Sequence, residues 1–304
     1  MSKPFFSVVM PTFNRSNKIS QTIESVLNQT FRNYEFIIVD DGSTDQTEEV
    51  VSRYTLKDPR IKYIKTKNWG GPARPRNIGI KASKGSYVSF LDDDDIWYKN
   101  KLEVVNKYIL GHPNAILFCH DEDFKVNNLK KRTYYNGPFS DNIYETLLFD
   151  RNNISPSASV VKKEIILEVG GFSEDRSFIY VDDYDLWIRL STLGKFVHIP
   201  DVLGQYIVES DGDNISFNPV KYTEANLNVT KHHLNLWLKQ HPEDIKKCKN
   251  RLSSVYSNLG LTLLRGRKFN FAKQFAIKAI KINKINCKSY LLFLLAFFRC
   301  PLRY

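Results

Sequence analysis

The chain opens on a repeating pattern: a run of apolar residues, a polar loop, then apolar residues at helical spacing. Phe6 to Met10 is a continuous apolar run ended by Pro11, and Ile19, Ile23, Val26 and Leu27 share one helical face. Phe36-Ile37-Ile38-Val39 stops at Asp40 to Asp45 before a helical Thr47 to Tyr54, and Ile61 to Ile64 precedes a helix at Pro75 to Ala82. A fourth run, Tyr87-Val88-Ser89-Phe90-Leu91, leads into four consecutive aspartates, Asp92 to Asp95. Strands that are apolar without alternation are buried on both faces. The pattern therefore predicts an α/β domain with a mostly parallel central sheet and helices on both faces. In such sheets a ligand sits beyond the carboxyl ends of the strands, where the strand order reverses. Three polar loops fall at that edge: Thr12-Phe13-Asn14-Arg15, Asp40 to Asp45, and Asp92 to Asp95.

Each loop carries chemistry suited to a phosphate-bearing ligand. A hard cation such as Mg2+ or Mn2+ takes oxygen ligands, usually one or two carboxylates plus substrate phosphates, so the aspartate run reads as a divalent-metal site. The plain alternative is a solvated acidic turn. Thr12 and Asn14 can hydrogen-bond a base or ribose, Asp41 can accept from a pyrimidine imide N–H, and Gly42 allows close backbone approach. The same Asp40 to Thr44 stretch also suits a turn and helix cap. Arg74, Arg76 and Asn77 open a helix after Gly70-Gly71-Pro72, where free backbone N–H groups favour phosphate.

Composition narrows the class. With 304 residues, 42% hydrophobic and 25% charged, the chain is an ordinary globular protein. The amino terminus reads as a first strand rather than a signal peptide. The longest apolar run, Leu291 to Phe298, is far shorter than the ~20 residues a membrane span needs. Cys119, Cys248, Cys287 and Cys300 show no CxxC spacing, which fits a reducing cytosol rather than a disulfide framework or zinc site. The net charge of +11 is uneven: from Lys221 onward there are 17 Lys+Arg against 3 Asp+Glu, leaving the preceding part at −3. A basic tail of this kind meets polyanions, either nucleic acid or an anionic membrane face, or else is a solvated helical face.

Taken together, Val8-Val9-Met10-Pro11-Thr12-Phe13-Asn14-Arg15, Ser25-Val26-Leu27-Asn28-Gln29-Thr30, Ile38-Val39-Asp40-Asp41-Gly42-Ser43-Thr44-Asp45, Arg76-Asn77-Ile78-Gly79-Ile80 and Phe90-Leu91-Asp92-Asp93-Asp94-Asp95 stand in one order. That order resembles the family-2 glycosyltransferases over roughly the first two thirds of the chain. The resemblance implies the GT-A fold, a Rossmann-like α/β sheet, and inverting transfer from a nucleoside diphosphate sugar, with a UDP-sugar favoured. It assigns Asp41 to the base, and Pro11, Thr12, Asn14, Arg76 and Asn77 to donor binding. The Asp92-Asp93-Asp94 triplet matches the DxD motif. Asp94 would coordinate Mn2+ or Mg2+, with Asp92 and Asp93 nearer ribose or metal-bound water. Asp at the middle position departs from the small or variable residue common there.

Farther on, Gly170-Gly171-Phe172 leads to Tyr180-Val181-Asp182-Asp183-Tyr184-Asp185-Leu186-Trp187-Ile188-Arg189-Leu190, a helix whose start is rich in carboxylates. Negative charge at a helix amino terminus is favourable in itself. The stretch also resembles the family's ED motif, with Asp182 in the place of Glu, Asp183 as the catalytic base, and Asp185 and Trp187 supporting the acceptor side. Residues 110–165, including Ser155-Pro156-Ser157-Ala158-Ser159, would shape part of the acceptor pocket, for a glycan or lipid-linked acceptor in cell-surface polysaccharide synthesis. Tyr206-Ile207-Val208-Glu209 lacks the Arg and His that many relatives carry there.

The expected organisation is a catalytic domain over 1–220, its nucleotide half about 1–100 and acceptor half about 101–220, followed by a basic helical tail over 221–304. In the tail, Leu252 to Leu264 and Phe271 to Ile282 resemble a single tetratricopeptide-like helix pair. Tyr290 to Phe298, flanked by lysines and by Arg299, Pro301 and Arg303, suits peripheral attachment to the cytoplasmic face of a membrane, each lysine contributing about 1 kcal/mol near an anionic surface. Burial against protein, including in an oligomer, is the alternative. Three other classes fit less well. A sugar nucleotidylyltransferase would carry a glycine-rich, Arg-containing loop after the first strand, and a nucleic-acid-binding protein would join its lysines to a recognised motif, so no nucleic-acid partner is expected. A non-catalytic nucleotide-binding interaction protein would leave Asp183 without a task.

Overall fold

The computed structural model describes residues 3–127, 129–208 and 218–300. The chain forms two compact units: the first takes Met1–Tyr144, Asn152–Glu174 and Asp182–Asn214, the second Glu145–Arg151, Asp175–Val181 and Ile215–Tyr304.

The first unit begins with the predicted alternation: β1 (Phe6–Thr12), α1 (Ile19–Leu27), β2 (Tyr34–Asp40), α2 (Thr47–Thr55), β3 (Ile61–Lys65), α3 (Ala73–Ala82) and β4 (Tyr87–Phe90). β1 pairs in parallel with β2 on one side and β4 on the other, and β2 pairs in parallel with β3. Every residue of β1 is buried, as is every residue of β4, because helices cover both faces of these strands. Phe6, Val8, Met10, Phe36 and Ile38 join Ile19, Ile23 and Val26 of α1 in the main core.

Beyond β4 come β5 (Ile96–Trp97), α4 (Lys101–Gly111), β6 (Ala115–Val126), β7 (Leu129–Tyr134), α5 (Ile143–Phe149), β8 (Ser159–Lys162), α6 (Lys163–Glu168), α7 (Asp182–Ser191) and β9 (Lys195–Val208). The sheet runs β3-β2-β1-β4-β8-β6-β9-β5, with β7 on β6. β8 lies antiparallel between β4 and β6, while β6 and β9 are parallel. The strand order reverses at β1, which places the carboxyl ends of β1 and β4, Thr12 and Leu91-Asp92, side by side at the switch point.

The second unit is helical: α8 (Pro219–Gln240), α9 (Ile245–Arg265), α10 (Phe269–Ile282) and α11 (Cys287–Phe297). Leu263, Leu264, Ala272, Ala276, Ala279 and Leu292 form its core. The helix pair expected from the 252–282 periodicity is α9 and α10, each extending farther toward its amino end than the apolar spacing indicated. Among the described residues no helix is long and apolar enough to cross a membrane. Glu209, Pro301 and Arg303 lie outside the described residues.

Candidate active site

α3 delivers Arg76 into the interior, where the side chain is almost fully buried. Its Nη2 lies 2.5 Å from Asp92 Oδ1 and its Nη1 3.0 Å from Asp182 Oδ2. One guanidinium thus ties the loop after β4 to the first turn of α7, two stretches about ninety residues apart in sequence that the first-unit sheet brings to one edge. The Arg76 guanidinium also sits 5.1 Å from the Phe172 ring centroid. Burial opposes its charge, and Asp92 and Asp182 outweigh that and raise its pKa.

The aspartate run is held by a second arginine. Arg15 Nε lies 3.2 Å from Asp93 Oδ1 and Nη2 lies 3.6 Å from Asp94 Oδ2. Burial, reinforced by Asp93 and Asp92, pushes the Asp94 carboxyl up to about 7 against the pull of Arg15. Burial raises Asp93 and Asp95 as well. This is negative charge in excess of its local compensation, in a run whose Asp92 and Asp94 side chains are 30% and 27% exposed. Among the described residues no group of three or more His, Cys, Asp or Glu is placed to hold a metal ion by itself. The donor set fits a hard divalent ion of the kind that one or two carboxylates share with substrate phosphates.

α7 separates the three carboxylates of its first turn by what each one meets. Asp182 takes Arg76. Asp185 Oδ2 accepts from Arg189 Nε and Nη2 at 2.9 and 2.7 Å, one helical turn later. Asp183 accepts a hydrogen bond from the Tyr184 N–H at 2.8 Å and, among the described residues, makes no ion pair. Burial, with repulsion from Asp182, pushes the Asp183 carboxyl up to about 7, and Arg76 partly offsets this. Trp187 is fully buried, with Nε1 donating to Ile154 O at 3.2 Å and its ring against Phe90 and Phe172. It supports the site from within the core.

Several residues predicted to touch a donor are committed to holding the loops. Asn77 Nδ2 donates to Phe172 O and Glu174 Oε1, and Asn77 Oδ1 accepts from the Phe172 N–H at 2.8 Å. Gly171 is required beside it: φ is +77° and a Cβ would approach Asn77 Oδ1 to 2.5 Å. Arg189 closes the same loop by donating to Val169 O and Gly171 O. Asp41 accepts from the backbone N–H of Trp69 and of Gly70, both at 2.9 Å, which leaves about two of the four lone-pair sites of a carboxylate for a ligand. Gly42, at φ +80°, serves the same turn, since a Cβ there would meet the Asn68 amide nitrogen at 2.8 Å; the close approach is to protein. Asn14 clips its loop to Ser43 and Thr44, its N–H donating to Ser43 Oγ and its Oδ1 accepting from the Thr44 N–H. The turn reading of Asp40 to Thr44 is also seen, Asp40 Oδ1 accepting from the Ser43 N–H at 2.7 Å, whereas the residue that precedes α2 is Gln46, which makes no side-chain cap. Burial pushes Asp45 up, but hydrogen bonds from Thr47 and Ser16 outweigh it and hold the carboxyl down at about 2. Pro11 and Thr12 are buried at the end of β1, with Thr12 3% exposed. Arg74 pairs with Glu174 at the surface.

A buried polar network behind the aspartates was not anticipated. Lys101, fully buried, donates from Nζ to Ser157 O at 2.7 Å and lies 3.4 Å from the Trp97 ring centroid. Ser157 Oγ in turn accepts from the Asp92 N–H at 3.0 Å. Burial holds the Lys101 ammonium well below its ordinary value despite Glu122, and pushes Glu122 up to about 7. At the end of β9 the Ile207 N–H donates to Asp95 Oδ1, and burial with the nearby aspartates raises the Tyr206 phenol.

The fold is that of the GT-A class, as two solved structures show. A solved structure of TarS from S. aureus, residues 1–349 in complex with UDP-GlcNAc, superposes with a TM-score of 0.65 at 17% identity, covering 96% of this chain and 90% of that one. The mannosyltransferase PcManGT from Pyrobaculum calidifontis, in complex with GDP-Man and Mn2+, gives a TM-score of 0.61 at 16% identity, covering 98% and 81%. Residues 7–170 match the family described as glycosyl transferase family 2, and the chain belongs to that family. An uncharacterised glycosyltransferase of Rickettsia bellii is 36% identical over 75% of this chain, which spans about a third (32%) of that relative's length. The Escherichia coli UDP-Glc:alpha-D-GlcNAc-diphosphoundecaprenol beta-1,3-glucosyltransferase WfaP is 29% identical over 74% of this chain and 85% of its own.

Proposed function

We propose that this enzyme transfers a sugar, with inversion and dependence on a divalent cation, from a UDP-sugar to a hydroxyl of a glycan or lipid-linked acceptor at the cytoplasmic face of a membrane. The observation that carries the proposal is Arg76, which joins Asp92 to Asp182 and so draws the two acidic centres to one edge of the sheet. Asp183 is the general base. It stands next to the paired Asp182 without a cation of its own, and a carboxyl near 7 both takes up and gives up a proton at neutral pH. The acceptor hydroxyl passes its proton to Asp183 while its oxygen forms the new bond to the anomeric carbon. The bond from that carbon to the departing diphosphate oxygen breaks on the opposite face, which inverts the configuration. A bound Mn2+ or Mg2+, held by Asp94 with Asp92 and Asp93 beside it, would neutralise charge growing on the diphosphate. Asp41, through its remaining lone pairs, accepts from the base, and Thr12 and the backbone at Pro11 face the nucleoside. Asn14, Asn77, Asp185 and Trp187 act by fixing the loops and helix that carry these groups.

The donor class is supported by TarS, whose complex contains UDP-GlcNAc, and by WfaP, whose name specifies a UDP-sugar and a diphosphoundecaprenol-linked acceptor. The test is direct: the protein is incubated with individual nucleoside diphosphate sugars and Mn2+, and nucleoside diphosphate release is followed with and without acceptor. Release from a UDP-sugar, suppressed by chelator, and a product of inverted anomeric configuration by NMR are expected. Retained configuration, or no turnover of any nucleotide sugar, would refute the proposal.

A further inference from the structure

We infer that the outward face of α11 docks the protein on an anionic membrane surface. The helix has two faces. Ser289, Leu292 and Ala296 are buried in the core of the second unit, whereas Tyr290, Leu291, Leu294, Phe297 and Phe298 are between 43% and 68% exposed. At 3.6 residues per turn these five side chains fall within an arc of about 120°, a continuous apolar stripe rather than scattered exposure. Exposed Cys287 lies within the same arc, and Ile285, just before the helix, is 84% exposed.

The charge around the stripe identifies its partner. From Ile245 to the last residue there are 14 Lys+Arg and no Asp or Glu. Lys273 of α10 lies 4.8 Å from the Phe297 ring centroid, which sets a cation against one edge of the stripe. Exposed Lys284, Lys288 and Arg299 lie before, beside and beyond it. A second copy of this chain would bring two strongly cationic units together and find no carboxylate in this segment to pair with. An anionic lipid surface offers hydrocarbon for the leucines and phenylalanines and phosphate for the lysines, with Tyr290 suited to the headgroup boundary. α11 has 11 residues and buries its other face in protein, so the attachment inferred for its stripe is interfacial.

The experiment is co-sedimentation of the full chain with vesicles of phosphatidylcholine alone and with added phosphatidylglycerol. The wild type is expected to pellet with the anionic vesicles and to be released as salt shortens the screening length. Leu291→Glu with Leu294→Glu, both solvent-facing, is expected to weaken partition about a hundredfold, roughly tenfold for each buried leucine lost, while leaving the melting temperature and the hydrolysis of nucleotide sugar unchanged. Lys284→Glu with Lys288→Glu should weaken the preference for anionic over neutral lipid. Equal pelleting of wild type and the leucine variant, equal binding to neutral and anionic vesicles, or a wild-type dimer that the leucine variant converts to monomer would each overturn the inference. Because hydrolysis is read separately, failure of docking leaves the catalytic proposal standing, and the reverse.

Discussion

Replacing Arg76 by Met preserves much of its volume and removes the guanidinium that joins the two acidic centres. The cost can be worked from its partners. Asp92 is 30% exposed, so water takes over much of that half of the interaction, but Asp182 is only 4% exposed and keeps a buried, unpaired carboxylate. Breaking a buried pair from one side costs about 3–5 kcal/mol, and the exposed half discounts the total toward about 3 kcal/mol. The penalty has a pH signature. Burial already raises Asp182, and loss of Arg76, which lowers it, raises it further. A carboxyl whose folded pKa is raised destabilises the fold above its unfolded value, so the deficit is fullest at alkaline pH and shrinks as the group takes a proton on acidification. Urea denaturation followed by tryptophan fluorescence measures it, with Trp237→Phe as background so that Trp69, Trp97 and Trp187 report the first unit. A loss of about 3 kcal/mol is expected at the higher pH and at least ~1 kcal/mol less at the lower. A loss that is the same at both, or below about 1 kcal/mol, would show that Arg76 does not neutralise Asp182.

Asp183→Asn should abolish transfer while leaving donor affinity near wild type. It should also raise the melting temperature of the first unit by about 2–4 °C, through relief of about 1 kcal/mol of burial and repulsion, whereas a lost donor affinity would reassign the residue. In the wild type, kcat/KM should rise with pH through a midpoint near 7, the value to which burial pushes Asp183, and a profile flat from about pH 6 to 8 would remove it as the base. Asp185→Asn should lower stability by about 1.5–3 kcal/mol through loss of the charged Arg189 partner and leave that pH midpoint in place; a moved midpoint would exchange the roles of the two carboxylates. Gly171→Ala should cost about 1–3 kcal/mol from its positive φ and its clash with Asn77, read as a lower melting temperature, and unchanged stability would mean the loop is not clamped as described.

The parallel half of the sheet was legible because its strands are apolar without interruption and its helices hold one apolar face: α1 occupies the predicted Ile19–Leu27 span. The second half was opaque for physical reasons. β6 buries His120, Asp121, Glu122 and Asp123 in the middle of a strand, so polar residues stand where an apolar run would announce it. β9 contains Pro200 and Gly204, and its register with β6 shifts at three places. No local pattern could indicate that β8 inserts antiparallel between β4 and β6, since both partnerships join distant segments. At the site, composition and order indicated which carboxylates gather, but not which arginine each would meet. The pairing of Asp185 with Arg189 had a readable signal, the i,i+4 spacing, that separates it from Asp183. Lys101 had none, since a lysine at a helix start after a tryptophan gives no sign that it will be buried.

The central claim is that the Asp92–Asp94 carboxylates and a divalent ion together hold the diphosphate of the donor. Calorimetric titration of UDP into the wild type and Asp94→Ala, each with and without Mn2+, tests it most directly. Binding to the wild type only when Mn2+ is present, with that dependence lost in Asp94→Ala, is the predicted result. UDP binding of equal strength with and without the metal, or an Asp94→Ala protein that binds as the wild type does, would contradict it.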